Sequence, residues 1–320
     1  MDGAPLARPH IPKEIYEPSL LGTACFLVYA PALFMLPGWL ARVVADSTLP
    51  LVVRVAIDVP LLVLAAFGLQ LMGSVGHDGT HLSLFRRKLP STVVGVFYSS
   101  AIPTYFEVGF AMSHRNHHRF TNTDDDPNVQ LLRHLTRWWE RMLFTTLTYN
   151  YAHWRTTVRT ALGYPWPTTY RLAFSDRVIR LLAWLNLLFA VVWLALYVTV
   201  TWHDPRTGVF MYWLPIGILL LLGSAQQYID HAGCGAAWFR NAWSRTSPLQ
   251  TVVFCGANFH LEHHAYPGVP SYRLPRLHRH LVATGFYDRL RPPTVATFLG
   301  PYRYVAHDLP AREEKPACGS

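Results

Sequence analysis

The sequence predicts an all-α membrane protein with four transmembrane helices and a cytoplasmic helical cap that carries a histidine site for two metal ions. Composition gives the first indication. Hydrophobic residues make up 51% of the 320 residues and charged residues only 15%, whereas ordinary soluble domains carry about 25% charged residues. The second indication is that half of the 16 histidines fall in three short pentapeptides between or after the apolar segments.

Four segments are apolar enough to cross a bilayer core, which takes about 20 helical residues. They cover about residues 20–40, 55–75, 181–202 and 209–228. Residues 90–113 are also apolar, but they fall between two pentapeptides that must lie on the same side of the membrane. The chain there is too short for two crossings of about 20 residues each, so we expect an embedded segment that does not span. No repeat or linker interrupts the chain, and residues 1–320 are predicted to form one domain.

Four spans place both termini and all three pentapeptides on one side of the membrane. The opposite side holds only Arg42, Arg54 and Arg206, which leaves 25 of the 28 Lys and Arg residues on the histidine side. Basic residues are enriched on the cytoplasmic side, so we expect a multi-pass protein of the cell (inner) membrane whose termini and active site are cytoplasmic. The net charge of +9 is dispersed among apolar segments, and we expect no nucleic-acid partner.

The three pentapeptides supply candidate metal ligands. They read HDGTH at 77–81, HRNHH at 114–118 and HLEHH at 260–264. Helical residues three and four positions apart share a face, so each pentapeptide directs at least two imidazoles the same way. Zinc normally takes four ligands, and imidazole also suits iron and copper; eight imidazoles therefore predict two metal ions. The predicted ligands are His77, His81, His114, His117, His118, His260, His263 and His264.

A lone histidine is usually a packed or solvated residue. We expect this of His10, His134, His153, His203, His278, His280 and His307. The four cysteines form no CxxC pair, so neither a disulfide framework nor a zinc ribbon is indicated.

From His77 to about His280 the chain resembles the membrane fatty-acid-desaturase-like superfamily of non-haem di-iron oxygenases. The resemblance rests on HDGTH, on SHRNHHRFTNTDDDPN at 113–128 and on NFHLEHHAYPGVPSYRLPRLH at 258–278, with two spans between the last two blocks. The third block is most similar to that of bacterial acyl-lipid desaturases. Carotenoid ketolases and hydroxylases have similar blocks.

The resemblance implies a ninth ligand between the last span and the third box. In acyl desaturases a histidine lies there, four residues after an amide that approaches the metal through water, and His231 and Gln227 stand at this spacing. The HxxxH spacing of the first box is one residue shorter than in some acyl-CoA desaturases, which argues against an acyl-CoA substrate.

Metal-bound imidazoles commonly donate their second N–H to a carboxylate or carbonyl. The run Asp124–Asp126 is a candidate for this role, or else a solvated loop that caps a helix. Glu262 could instead carry protons, but its place between ligands in an HxxHH frame argues against it. The residues expected around the ligands are Asp78, Asp126, Gln227, Asp230, Asn258 and Glu262, and no catalytic residue separate from the ligands is predicted.

These features predict an enzyme that oxidises an unactivated C–H bond, a reaction that needs a metal with O₂ because no side chain supplies such an oxidant. The expected cofactors are two Fe ions (Fe²⁺/Fe³⁺), with O₂ as co-substrate. Desaturation of a fatty-acyl chain is the favoured reaction. A hydroxylase or ketolase acting on a carotenoid or other lipid-like molecule is the alternative, and a non-enzymatic metal-binding membrane protein is the second alternative.

The expected partners are membrane lipid, a hydrophobic acyl or isoprenoid substrate and an external electron donor. A ferredoxin or small cytochrome with its reductase would dock on arginines such as Arg137, Arg141 and Arg276. Apolar residues near the boxes either line a substrate tunnel or pack in the ordinary way. They are Phe106, Phe110, Met112, Trp138, Trp139 and Tyr228.

Overall fold

Four apolar helical stretches organise the protein, for which the computed structural model describes residues 7–166, 172–297 and Gly300. The stretches Lys13–Ala45, Leu51–Thr80, Asp176–His203 and Pro205–Ile229 are long and apolar enough to cross a membrane. The described residues are mostly helical, with only two strands of two residues each. The predicted all-α class with four membrane-crossing helices is confirmed.

The first stretch comprises α1 (Lys13–Tyr16) and α2 (Leu20–Ala45), and the second is α3 (Leu51–Thr80). Pro31 and Pro37 lie inside α2, and the helix continues through both. Packing against neighbouring helices allows a transmembrane helix to continue through proline. The helix α3 runs without interruption into the first histidine box, and His81 is its C-cap residue.

The third stretch is α8 (Asp176–His203). The fourth consists of α9 (Pro205–Gly208), a π-helical turn (Val209–Trp213) and α10 (Leu214–Ile229). Ion pairs join the ends of these helices to α2: Arg206 lies 2.8 Å from Asp46, the C-cap residue of α2, and Arg42 lies 3.8 Å from Asp204. These charges gather at the end of the bundle remote from the histidine boxes.

Residues 88–120 form two shorter helices, α4 (Lys88–Ser99) and α5 (Glu107–Phe120). They have 12 and 14 residues, and each is shorter than the roughly 20 residues of a full crossing. Gly79 on α3 and Gly95 on α4 allow close packing, since a Cβ atom on Gly79 would lie 2.8 Å from the Gly95 Cα. This contact fixes α4 against the first box. That residues 90–113 are embedded in a membrane stays a prediction.

The rest of the described chain packs around the box end of the bundle. It comprises α6 (Pro127–Leu131), α7 (Trp138–Ala161), α11 (Pro248–Val253), α12 (His260–Ala265), a 3₁₀ turn (Ser271–Arg273), α13 (Leu274–Ala283) and α14 (Phe286–Leu290). The strands β1 (Ser244–Arg245) and β2 (Thr294–Val295) pair in parallel. A small apolar core that includes Ile15, Phe259 and Phe286 holds the third box against the start of the chain.

Candidate metal centre

Three helices bring the predicted ligands to one place: the end of α3, the second half of α5 and α12. Two groups of ring nitrogens could each hold a metal ion, and within each group the nitrogens all lie within 4.8 Å of one another. The first group comprises His77, His81, His114, His118 and His263, and the second comprises His117, His231 and His264.

The spacing of nitrogen atoms in the first group suits a coordination sphere. The Nε2 atom of His114 lies 2.9 Å from Nε2 of His77 and 2.9 Å from Nε2 of His118. His263 Nε2 lies 3.1 Å from His118 Nε2. Ligands at right angles on metal–nitrogen bonds of about 2.1 Å are roughly 3 Å apart. The first group therefore has the geometry of donors that share one ion.

The remaining predicted ligand, His260 of the third box, borders the second group. Its Nε2 atom lies 3.1 Å from Nε2 of His231. The two groups adjoin, because the rings of His118 and His264 have their centroids 4.3 Å apart. All nine predicted ligands thus form one continuous cluster with contributions from all three boxes and from the loop after α10.

Several imidazoles of the cluster favour the neutral form, which is the form that binds metals. Burial lowers the pKa of His114, His118 and His264 well below the ordinary value, and neighbouring imidazoles lower it further. Burial likewise lowers the pKa of His231 to about 3. Nε2 of His81 and of His264 is buried without a hydrogen-bond partner among the described residues. Neutral rings with free, converging nitrogens fit a metal ion.

Asp126 is bound both to a histidine and to a helix end. Its Oδ1 atom accepts from His117 Nδ1 at 2.9 Å and from the N–H of Asn128, the second residue of α6, at 2.9 Å. Burial opposes ionisation of this carboxyl, but these hydrogen bonds and one from the Asn122 N–H hold the pKa of Asp126 below its ordinary value. Asp126 thus combines the two roles predicted for the aspartate run, because it binds a ligand imidazole and caps a helix. Asp124 and Asp125 are exposed.

Two further ligands have their second nitrogen fixed by neutral groups. His231 Nδ1 donates to the backbone carbonyl of Asn241 at 2.7 Å. His264 Nδ1 lies 3.3 Å from Thr121 Oγ1, and that hydroxyl in turn donates to the carbonyl of His117 at 2.6 Å. Such contacts select the ring tautomer whose other nitrogen faces the metal.

Two of the predicted surrounding acids hold the C-terminal residues onto the boxes. Asp78 accepts from the N–H and hydroxyl of Ser271 at 2.8 and 2.6 Å, and its Oδ1 atom is 3.8 Å from His77 Nδ1. Glu262 accepts from Ser244 and Tyr287 and lies 2.5 Å from His278 Nδ1. His278, predicted to be an ordinary residue, thus belongs to a buried network beneath α12.

The other predicted surrounding residues also bind protein groups. Asp230 forms a 2.5 Å ion pair with Arg245, and Asn258 Nδ2 donates to the Arg245 carbonyl at 2.5 Å. Gln227 Nε2 lies 3.3 Å from Thr146 Oγ1, and the Gln227 side chain lines a cavity beside the cluster.

That cavity has a volume of about 210 Å³ and lies between α3, α7 and α10. Six ligands line one end of it: His77, His114, His117, His231, His260 and His263. Phe110 also lines it and stacks on His114 with 4.2 Å between ring centroids. The remaining apolar residues predicted for a tunnel do not line it; they are Phe106, Met112, Trp138, Trp139 and Tyr228.

Comparison with known families decides the identity of the fold. A family described as fatty acid desaturase matches residues 55–295, which include all three boxes and His231. This chain belongs to the fatty acid desaturase family. No curated protein matches it. Membership implies an oxidoreductase with a lipid acyl substrate, and the four apolar helices indicate a membrane protein.

The desaturase cavity has a polar wall that sequence reasoning missed. Gln70 and Ser74 line it from α3, and Thr146, Asn150 and His153 from α7. A signal was present, because polar residues three and four apart on α7 share one face, but it could not be told from an interfacial face. His153, predicted to be an ordinary packed or solvated residue, is only 4% exposed, and burial lowers its pKa to about 3.

Proposed function

We propose that the chain is an O₂-dependent membrane desaturase that binds two iron ions and removes two hydrogen atoms from a fatty-acyl chain. The observation that carries the proposal is the cluster of nine histidines from distant parts of the sequence, which opens onto the cavity between α3, α7 and α10. Family membership supports the acyl substrate.

The two histidine groups divide the ligands. We assign one ion to the five-histidine group and the other to His117, His231 and His264, with His260 adjoining His231. Two bound iron ions, with O₂ and electrons from a donor, would supply an oxidant strong enough for an unactivated C–H bond. The surrounding residues hold the rings: Asp126 orients His117, the Asn241 carbonyl orients His231, and Asp78 and Glu262 fix the boxes to the C-terminal helices.

The reaction balances with an external reductant. Two hydrogen atoms leave adjacent carbons of the chain, a carbon–carbon double bond forms, and O₂ with two electrons and two protons becomes two molecules of water. The electron donor is proposed to be a ferredoxin or small cytochrome with its reductase. Arg137 and Arg276 are exposed and available for docking, whereas Arg141 donates to the Leu135 carbonyl and lies over the Tyr228 ring.

We place the protein in the cell (inner) membrane with the metal centre on the cytoplasmic side. Support comes from the distribution of charge, since Arg42, Arg54 and Arg206 lie near the opposite ends of the spans and the other basic residues of the described ranges do not. Four crossings return the chain to the side on which it began.

A hydroxylase or ketolase built on the same centre is the second candidate, and the polar wall of the cavity, which can hydrogen-bond an oxygenated product, favours it. Mass spectrometry of lipids from a host that expresses the chain tests both. Loss of two hydrogen atoms from acyl chains supports desaturation, and gain of oxygen supports the alternative. The His117→Ala variant should give neither product and retain less iron, with His134→Ala as the matched control. Wild-type protein without iron would refute both.

A further inference from the structure

The cavity beside the histidine cluster contains buried polar atoms with no protein partner. Gln70 Nε2 donates to Gln226 Oε1 at 2.8 Å, which leaves Gln70 Oε1 buried and unpaired among the described residues. Exchanging the amide nitrogen and oxygen does not change the balance, because one such bond uses one donor and one acceptor of the two amides. The pair therefore presents a free hydrogen-bonding atom at the cavity wall.

His153 offers a second free group on the other side of the cavity. Neither of its ring nitrogens has a partner in the described part of the chain, although the ring is almost fully buried. It packs against Phe110, Tyr105 and Tyr149 at centroid distances of 5.5, 6.3 and 6.1 Å. Since Phe110 stacks on the ligand His114, His153 stands one ring away from the metal centre.

Not every polar side chain in the wall is free. Asn150 donates to Thr104 Oγ1 at 2.9 Å, and Thr146 lies 3.3 Å from Gln227. These bonds attach α7 to the turn between α4 and α5 and to α10, as polar residues commonly do in membrane bundles. Gln70 and His153 can still form hydrogen bonds with a molecule that occupies the cavity. Such bonds are favourable, because buried polar groups without partners cost free energy.

The charge of the wall limits what the occupant carries. Asp230 is the one acidic residue among the described lining residues, it is paired with Arg245, and no lysine or arginine lines the cavity. An anionic head group would find no basic side chain there. The remaining wall is apolar, with Ile102, Leu219 and Phe254 among its members, so the occupant is a hydrophobic chain with a neutral polar substituent.

We propose that the substrate is an oxygenated hydrophobic chain, whose hydroxyl or carbonyl group binds Gln70 or His153 while a neighbouring carbon faces the metals. This deepens the proposed function and rests on it. Gln70 precedes His77 by seven residues on the unbroken α3, which is about 10 Å along the helix axis. An oxygen atom bound at Gln70 thus lies about two helical turns along α3 from the first histidine box. The oxygen must therefore be added to the chain, or left on it, by a reaction that comes before the one catalysed by this enzyme.

The test measures binding without turnover. Iron-loaded full-length protein in lipid nanodiscs is kept under nitrogen, and a fluorescent fatty ester is displaced with methyl octadecanoate or with its monohydroxy positional isomers. The isomer that fits the wall best should bind at least about tenfold more tightly than the plain ester, because a site built to bind a hydroxyl discriminates against an analogue that lacks it.

Two sets of variants test whether the wall causes the preference. Gln70→Met with Gln226→Met removes both amides at similar volume, and His153→Phe removes the ring nitrogens. At least one set should abolish the preference and leave affinity for the plain ester unchanged or higher, whereas Gln130→Leu, at an exposed amide that does not line the cavity, should change neither. Equal binding of all esters by the wild-type protein would overturn the proposal, as would a preference that survives both sets. Because no oxygen is present, this result is independent of whether host lipids are oxidised.

Discussion

His117 and Asp126 are joined by a hydrogen bond of 2.9 Å between Nδ1 and Oδ1, and the same carboxylate caps α6. This arrangement fixes the ring so that Nε2 faces His231 and His264. Asp126→Asn should therefore lower metal affinity by about 10- to 100-fold, as loss of such partners typically does. The measurement is iron bound per chain during titration with a chelator. Asp125→Asn, at an exposed position, is the control, and equal iron retention by both variants would contradict the role of Asp126.

The contact between Gly79 and Gly95 predicts a position at which one added methyl group destabilises the folded protein. Gly79→Ala should destabilise the protein by ~1–3 kcal/mol, because α3 and α4 must move apart, and it should reduce bound metal because the first box moves with α3. Thermal unfolding of the purified protein measures the first effect. Gly217→Ala adds a methyl group where nothing lies within 4 Å and should be neutral. If the two variants unfold at the same temperature, the helices are not in such close contact.

The basic surface near the metal centre predicts a charge effect on electron supply. Arg137→Glu with Arg276→Glu should slow turnover by at least about tenfold with an acidic donor protein at low ionic strength, since complementary charge steers association. Added salt should reduce the difference. Turnover driven by a small chemical reductant should be unchanged, which separates docking from damage to the centre. Equal rates with the protein donor would exclude docking at this surface.

The lowered pKa values of the buried histidines predict how the metal-free protein responds to acid. In the unfolded chain these residues titrate near about 6.5, so below that pH the unfolded state binds more protons than the folded state. Stability of the metal-free protein should therefore fall as the pH drops through about 6.5. The iron-loaded protein should resist this, because ligation also favours neutral rings. Thermal unfolding with and without iron at several pH values checks this, and identical pH profiles would count against metal binding by the cluster.

The fold class was readable from the sequence because apolar runs of membrane length and histidines at helical spacing are local signals. The continuation of α2 through Pro31 and Pro37 was not readable, since it depends on contacts with neighbouring helices. The family resemblance was confirmed, but its closeness to bacterial acyl-lipid desaturases stays a prediction.

Within the candidate site, the clustering of histidines follows from the boxes, but their partners do not. The Asn241 carbonyl that binds His231 belongs to a loop, and any residue type could supply it. Asp230 and Glu262, expected near the ligands, are instead bonded to Arg245 and to His278. Which acid meets which ring is set by tertiary packing. The lone His153 was indistinguishable from a packed histidine because its cavity exists only once α3, α7 and α10 assemble. His307 and Cys318 lie outside the described residues.

The unbroken helix α3 carries both Gln70 and His77, and its backbone therefore fixes the distance between them. A chain held at the amide meets the metals at a distance fixed by the backbone and not by a flexible loop. Changing that distance requires moving the amide by three or four residues, about 4.5 to 6 Å, because steps of one or two residues turn it away from the cavity. During evolution or engineering, the position of oxidation along a substrate should thus change in steps of this size and not gradually.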